Sequence, residues 1–164
     1  GYPDAGLKQV YAADESEPFR QRFTRKNETY GVVLPDYHSQ VHGRPAPYTR
    51  ASVVGDLAEI ITTRKPKEIY VTNEADTHGE HQASFWIVRD AVRAAKWHGT
   101  IFTYLVHGHT LPKGPVHRLR LTADELEKKR ATIEEYARHL SPIHDGLAEK
   151  FTKPEEVFWP IRIE

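Results

Sequence analysis

The chain has 164 residues, enough for one domain with a substantial core, and its 23 basic and 23 acidic residues cancel, which excludes a general electrostatic pull toward nucleic acid. The absence of cysteine excludes disulfides and thiolate ligands and leaves His, Asp and Glu as the metal-binding side chains. No apolar run approaches the roughly 20 residues of a membrane-spanning helix, and Gly1 to Gly6 carries no signal-peptide pattern, so the chain reads as soluble with no membrane span. It starts with Gly and has no Met, which points to a removed first segment or a piece of a longer protein.

In chain order, Pro3-Asp4-Ala5-Gly6 is turn chemistry, and residues 13 to 28 are a polar excursion without period. Thr29 to Leu34 is expected to be a short strand, followed from Pro35 to Tyr48 by a loop rich in Pro, His and Tyr, of a length that is more often functional than idle. Val53, Val54, Leu57, Ile60 and Ile61 recur at helical spacing between Ala51 and Arg64, and Pro66 ends that helix. Glu68 to Thr72 is a strand. A second helix runs from His81 to Trp97, with Ala83, Phe85, Ile87, Val88, Ala91, Val92 and Ala94 apolar and a glycine C-cap expected near His98-Gly99.

Thr100 to Val106 is β-branched and aromatic and reads as the strongest strand; His107-Gly108-His109 ends it. Arg118 and Arg120 alternate on a short β-like run, suited to an anion or to plain solvation. Thr122 to Glu125 fits a capping box ahead of a helix striped by Leu126, Ile133, Ala137 and Leu140 and closed by Ser141-Pro142. Phe151 to Ile163 is an extended segment in which Pro160 suggests an edge position. Alternating helices and strands without repeats predict a single α/β domain over residues 1 to 164, with a mostly parallel sheet; so few strands imply that its amino-terminal part is missing.

The chemistry concentrates in Asn73-Glu-Ala-Asp-Thr-His-Gly-Glu-His81, two histidines and three carboxylates between a strand and a helix, where α/β proteins place ligands. With a helix starting near Gly79, His78 and His81 face one side of its first turn. Neutral imidazole is a zinc ligand, zinc brings the pKa of water to about 7, and a second His can act as acid or oxyanion stabiliser with a carboxylate fixing its tautomer. The spacing is neither His-Glu-x-x-His nor His-x-x-Glu-His, and solvated loop residues are the alternative. His107 and His109 are candidates for a pocket lining, a second metal site or plain surface. Tyr37, His38, His42, Arg44 and Tyr48 form either a rim for a sugar or a loop packed by its prolines.

Residues 73 to 81, between the 69–72 strand and the 84–95 helix, resemble the second zinc motif of the PIG-L/LmbE-type de-N-acetylases, usually His-Pro-Asp-His. Gly1-Tyr-Pro-Asp-Ala-Gly-Leu7 is similar to the turn that precedes it in that family, and Tyr104 to His107 and Lys128 to Tyr136 are similar to later segments, in the same order. The resemblance implies a three-layer Rossmann-like fold with helices on both sheet faces. It makes His81 a Zn2+ ligand, His78 the acid or oxyanion stabiliser, Glu80 its orienting carboxylate, and Asp4 a substrate-side residue; Tyr37 and Arg44, from their place in the 35–48 loop, and His107, from its place at a strand end, are the further candidate substrate contacts. Gly79-Glu80 replace the usual Pro-Asp, and Ala137-Arg138 replace the usual Ser-Gln. The family's first motif, His-Pro-Asp-Asp-Glu, which supplies the other ligands and the base, is absent from this chain.

The expected activity is thus zinc-dependent removal of acetyl from an N-acetylated sugar or similar small molecule by the intact protein, completed by an amino-terminal segment, by a second chain or within a homo-oligomer. The competing readings are a non-catalytic fragment or split-protein partner, and a sugar-binding module without turnover.

Overall fold

The computed structural model describes residues 1–108, 110–138 and 146–163. His109, Leu140 and Ser141-Pro142, singled out above, lie outside the described residues. The chain divides into two compact units, Gly1–Gly114 with Trp159–Glu164, and Pro115–Phe158.

In the first unit, α1 (Leu7–Ala12), α2 (Tyr37–His42) and α3 (Arg50–Arg64) precede β1 (Glu68–Thr72), α4 (Gly79–Ala94) and β2 (Thr100–Tyr104). Thr49 caps α3, its hydroxyl accepting from Ser52 N–H, and Lys65 ends it in the left-handed region, just ahead of Pro66. Of the expected apolar face of α3, Val53 and Ile61 are buried, and Val54 and Leu57 pack against the core. Phe85, Ala91 and Val92 of α4 join Ile61, Val71 and Ile101 in one cluster; Ile87 joins Val10, Tyr48 and Val53 in a second. Burying such side chains contributes about 1.5–3 kcal/mol each, so α4 is the element on which the unit is built.

β1 and β2 are parallel, and β2 pairs antiparallel with the end of β4 (Glu155–Ile161). In the second unit the start of β4 pairs antiparallel with β3 (His117–Arg120), beside α5 (Ala123–Arg138) and α6 (Leu147–Phe151). Among the described residues the protein is α/β, and the first unit holds a mixed sheet in which β1 and β2 are parallel and β2 and the end of β4 antiparallel. Pro160 lies beyond Phe158, the last β4 residue paired with β3, so its missing N–H interrupts no ladder on that side. Thr122 and Glu125 form the expected capping box of α5, with Thr122 N–H donating to Glu125 at 2.8 Å and Glu125 N–H to the Thr122 hydroxyl at 3.3 Å.

Four local expectations are corrected. Residues 29 to 34 form no strand: the backbone doubles back so tightly that a Cβ on Gly31 would meet the Leu34 carbonyl oxygen at 1.6 Å, and Val32, Val33 and Leu34 are exposed. The 35–48 loop contains α2, nucleated by Asp36, which accepts from Ser39 N–H, and stopped by Gly43 in the left-handed region. The end of α4 is a Schellman turn in which Lys96, at φ +50, takes the left-handed position, with Lys96 N–H on Arg93 O and Trp97 N–H on Val92 O. Gly99 is needed for another reason: the Trp97 ring lies where its Cβ would be, at 2.1 Å. Finally, β2 stops at Tyr104 rather than Val106, because the next amides turn to a side chain.

Candidate functional site

β1 delivers the chain to a buried turn. Asn73 N–H donates to Tyr104 O, and its side-chain amide donates to the Thr103 hydroxyl at 2.7 Å. Asp76 follows and is fully buried. One of its oxygens accepts from His78 N–H; the other accepts from Val106 N–H and His107 N–H, all at 2.9 Å. A single carboxylate thereby ties the loop after β1 to the loop after β2. Burial by itself would raise its pKa, but the His107, His78 and Val106 amides and the His81 side chain outweigh burial and hold the carboxyl at about 2.

Over this carboxylate three imidazoles converge. The His78 and His81 ring centroids are 4.8 Å apart, His78 and His107 5.5 Å, and His81 and His107 5.2 Å with the rings stacked at 20°. His81 Nδ1 is buried 3.2 Å from Asp76 Oδ2, off the line of a hydrogen bond. That leaves Nε2 as the ring atom available to a ligand. Carboxylate–histidine pairs of this kind orient metal-binding imidazoles. The Thr72 hydroxyl donates to His81 O at 2.8 Å, fixing the backbone of the first α4 turn. Gly108, at φ +104, follows the cluster in a conformation that side chains resist.

Of the residues singled out in the sequence, the structure thus brings His78, His81 and His107 together. Glu80 is elsewhere engaged: both its oxygens lie 3.2 Å from Leu7 N, at the start of α1. Asp4 accepts from Ala5 N–H within its own turn, and its carbonyl accepts from Gln21. Tyr37 opens α2, its hydroxyl pKa raised by burial and by Glu59; Arg44 is exposed beyond it. Tyr48 is core rather than rim. The residue that sequence reasoning missed is Asp76. Its sequence signal is an Asp two residues before the helix-capping His78, the spacing of an Asx turn.

A second polar group lies where α2 meets α3. His38 Nδ1 is 2.6 Å from Asp56 Oδ1, Tyr2 donates to Asp56 Oδ2 at 2.7 Å, and His42 Nε2 is 2.9 Å from Glu59 Oε2. His38, His42 and Asp56 offer ligand atoms all within 4.8 Å of one another and can hold a metal ion. Burial first, then the Asp56 bond, drive the Tyr2 phenol pKa far above its ordinary value. A groove of about 810 Å³ lined by Tyr11, Arg50, Val54, Asp90 and Arg93 among others contains none of these histidines. No helix among the described residues is long and apolar enough to cross a membrane. Compared with protein-family models, curated proteins and solved structures, the chain finds no match in any of the three.

Proposed function

We propose that the intact protein is a zinc-dependent amidohydrolase of the PIG-L/LmbE type, removing acetyl from an N-acetylated sugar or similar small molecule. The observation that carries this reading is the convergence of His78, His81 and His107 over the buried Asp76. The donor set fits the metal in part: His81 turns a buried, unpartnered Nδ1 toward a charged carboxylate and keeps Nε2 for zinc. When bound, zinc supplies Lewis acidity and lowers the pKa of water to about 7.

This chain's own residues then have distinct tasks. Asp76 sets its charge beside the Nδ1 edge of His81 and, through three backbone amides, fixes where His78 and His107 stand. Hydrolysis adds water to the amide carbonyl carbon and breaks the C–N bond. His78, exposed at the amino end of α4, gives a proton to the departing amine nitrogen. His107 contacts the acyl or sugar group. The residue that takes the proton from the attacking water belongs, in this reading, to an amino-terminal motif outside these 164 residues, together with the further zinc ligands. A three-layer Rossmann-like sheet belongs to the same proposal, with the parallel β1–β2 pair as its counterpart here.

Zinc content and acetate release, measured on the full-length protein and its His81→Ala variant, test it. Both are expected to fall at least tenfold in the variant, about 1.4 kcal/mol or more. Undiminished zinc and turnover would sink the proposal; ligand binding without acetate release would favour a sugar-binding module.

A further inference from the structure

We propose that His38, His42 and Asp56, with Glu59 at the rim, form a second site, for a late first-row divalent cation such as Zn2+, Ni2+ or Cu2+, which clamps α2 onto α3. The proposal is independent of the reading of the His78–His81–His107 cluster.

The placement follows from helical spacing. His38 and His42 are four apart on α2, and Asp56 and Glu59 three apart on α3, so each pair shares one face of its helix. The two faces meet: the His38 and His42 rings lie 4.4 Å apart, and each has a carboxylate of α3 within 2.9 Å. Two imidazoles and a carboxylate suit zinc, nickel or copper and disfavour magnesium or calcium, which prefer all-oxygen sites. Asp56 is buried, and Tyr2 occupies its Oδ2, so Oδ1 is the oxygen turned to the histidines. A hydrogen bond from an outer residue to a ligating carboxylate is a usual second layer around a metal.

α2 also needs an attachment. It has six residues, none buried, and a helix that short is not stable by itself. In this structure its histidines hold it to α3 through hydrogen bonds to Asp56 and Glu59. Tetrahedral ligands about 2.0–2.1 Å from an ion sit about 3.3 Å from one another, so the 2.6 Å His38–Asp56 contact opens by a small side-chain turn as the cation takes the place between Nδ1 and the carboxylate, the neutral imidazole then carrying its proton on Nε2.

The test uses the full chain carrying His81→Ala, which weakens the other histidine cluster so that the two readings fail separately. Titration calorimetry with Zn2+ is expected to give one ion per chain with a Kd of about 10 μM or tighter, and electron paramagnetic resonance of the Cu2+ form to give coupling to two nitrogens. His42→Gln changes a half-exposed side chain and spares the core. It is expected to weaken binding at least tenfold and leave one coupled nitrogen. Zn2+ is also expected to slow proteolysis at the exposed Val32–Leu34 loop in the His81→Ala chain and not after His42→Gln. Asp56→Asn is expected to weaken binding too, but Asp56 is buried, so the His42 variant decides. Absence of binding at about 1 mM Zn2+, or an unchanged Kd in His42→Gln, overturns the site and leaves two hydrogen-bonded histidine–carboxylate pairs.

Discussion

Asp76 is where the chemistry and the stability of the site coincide. Its carboxylate accepts three backbone amides and faces His81 from a position closed to solvent, so removing it leaves three half-buried donors without their acceptor. Each such orphan costs about 1–3 kcal/mol, partly recovered by relaxation or water. Asp76→Ala is therefore expected to destabilise the protein by about 3–5 kcal/mol in urea denaturation, and Asp76→Asn, which keeps one carbonyl acceptor, by about half as much. Sequence reasoning found the histidines because they lie three apart before a helix, and it gave the orienting role to Glu80. What it had no access to was the pairing of Asp76 with Val106 and His107, 30 and 31 residues away. That pairing is set by two strands lying parallel, which no local pattern encodes.

The elements that were legible are those whose burial follows a period. α3 and α4 carry apolar residues at helical spacing, and β1 was found with its bounds. The capping box of α5 is a local exchange of hydrogen bonds and was read from four residues. α2 was hidden because it buries nothing and stands on polar contacts within a proline-rich stretch. Val32, Val33 and Leu34 misled for the opposite reason, being β-formers left in solvent. The end of α4 shows how a turn chooses its residues. Lys96 occupies the left-handed position that glycine prefers, while Gly99 lies beneath the Trp97 ring. Lys96→Gly is thus expected to raise stability by about 0.5–1 kcal/mol and Gly99→Ala to lower it by about 1–3 kcal/mol, the two having opposite signs in thermal melts. A glycine C-cap at Gly99 would predict no gain at Lys96.

At the scale of the whole molecule, the alternation of helix and strand was enough to give the α/β class. The antiparallel return of β4 was not legible, since an extended segment containing Pro160 pairs as readily in either direction. The acid response is also a property of the whole. Asp36 and Asp76 are both held at about 2; burial opposes this, and hydrogen bonds from Ser39 and Thr29 in one case and from loop amides in the other override it. Their folded pKa values lie below the unfolded value near 3.9, so the stability they provide is full above about pH 4 and is lost as pH falls toward 2. Each contributes on the order of 2 kcal/mol. Melting temperature is expected to drop steeply between pH 4 and 2, and less steeply in Asp36→Asn; an equal slope in that variant would exclude Asp36 as a cause.

The Thr103 hydroxyl receives the Asn73 amide and gives its own proton to Trp159 O at 2.9 Å. Asn73 shapes the turn that presents Asp76. The end of β4 is therefore the anchor of a mooring line whose other end is the histidine loop. Displacing Trp159 from β2 would slacken that loop without touching one of its side chains.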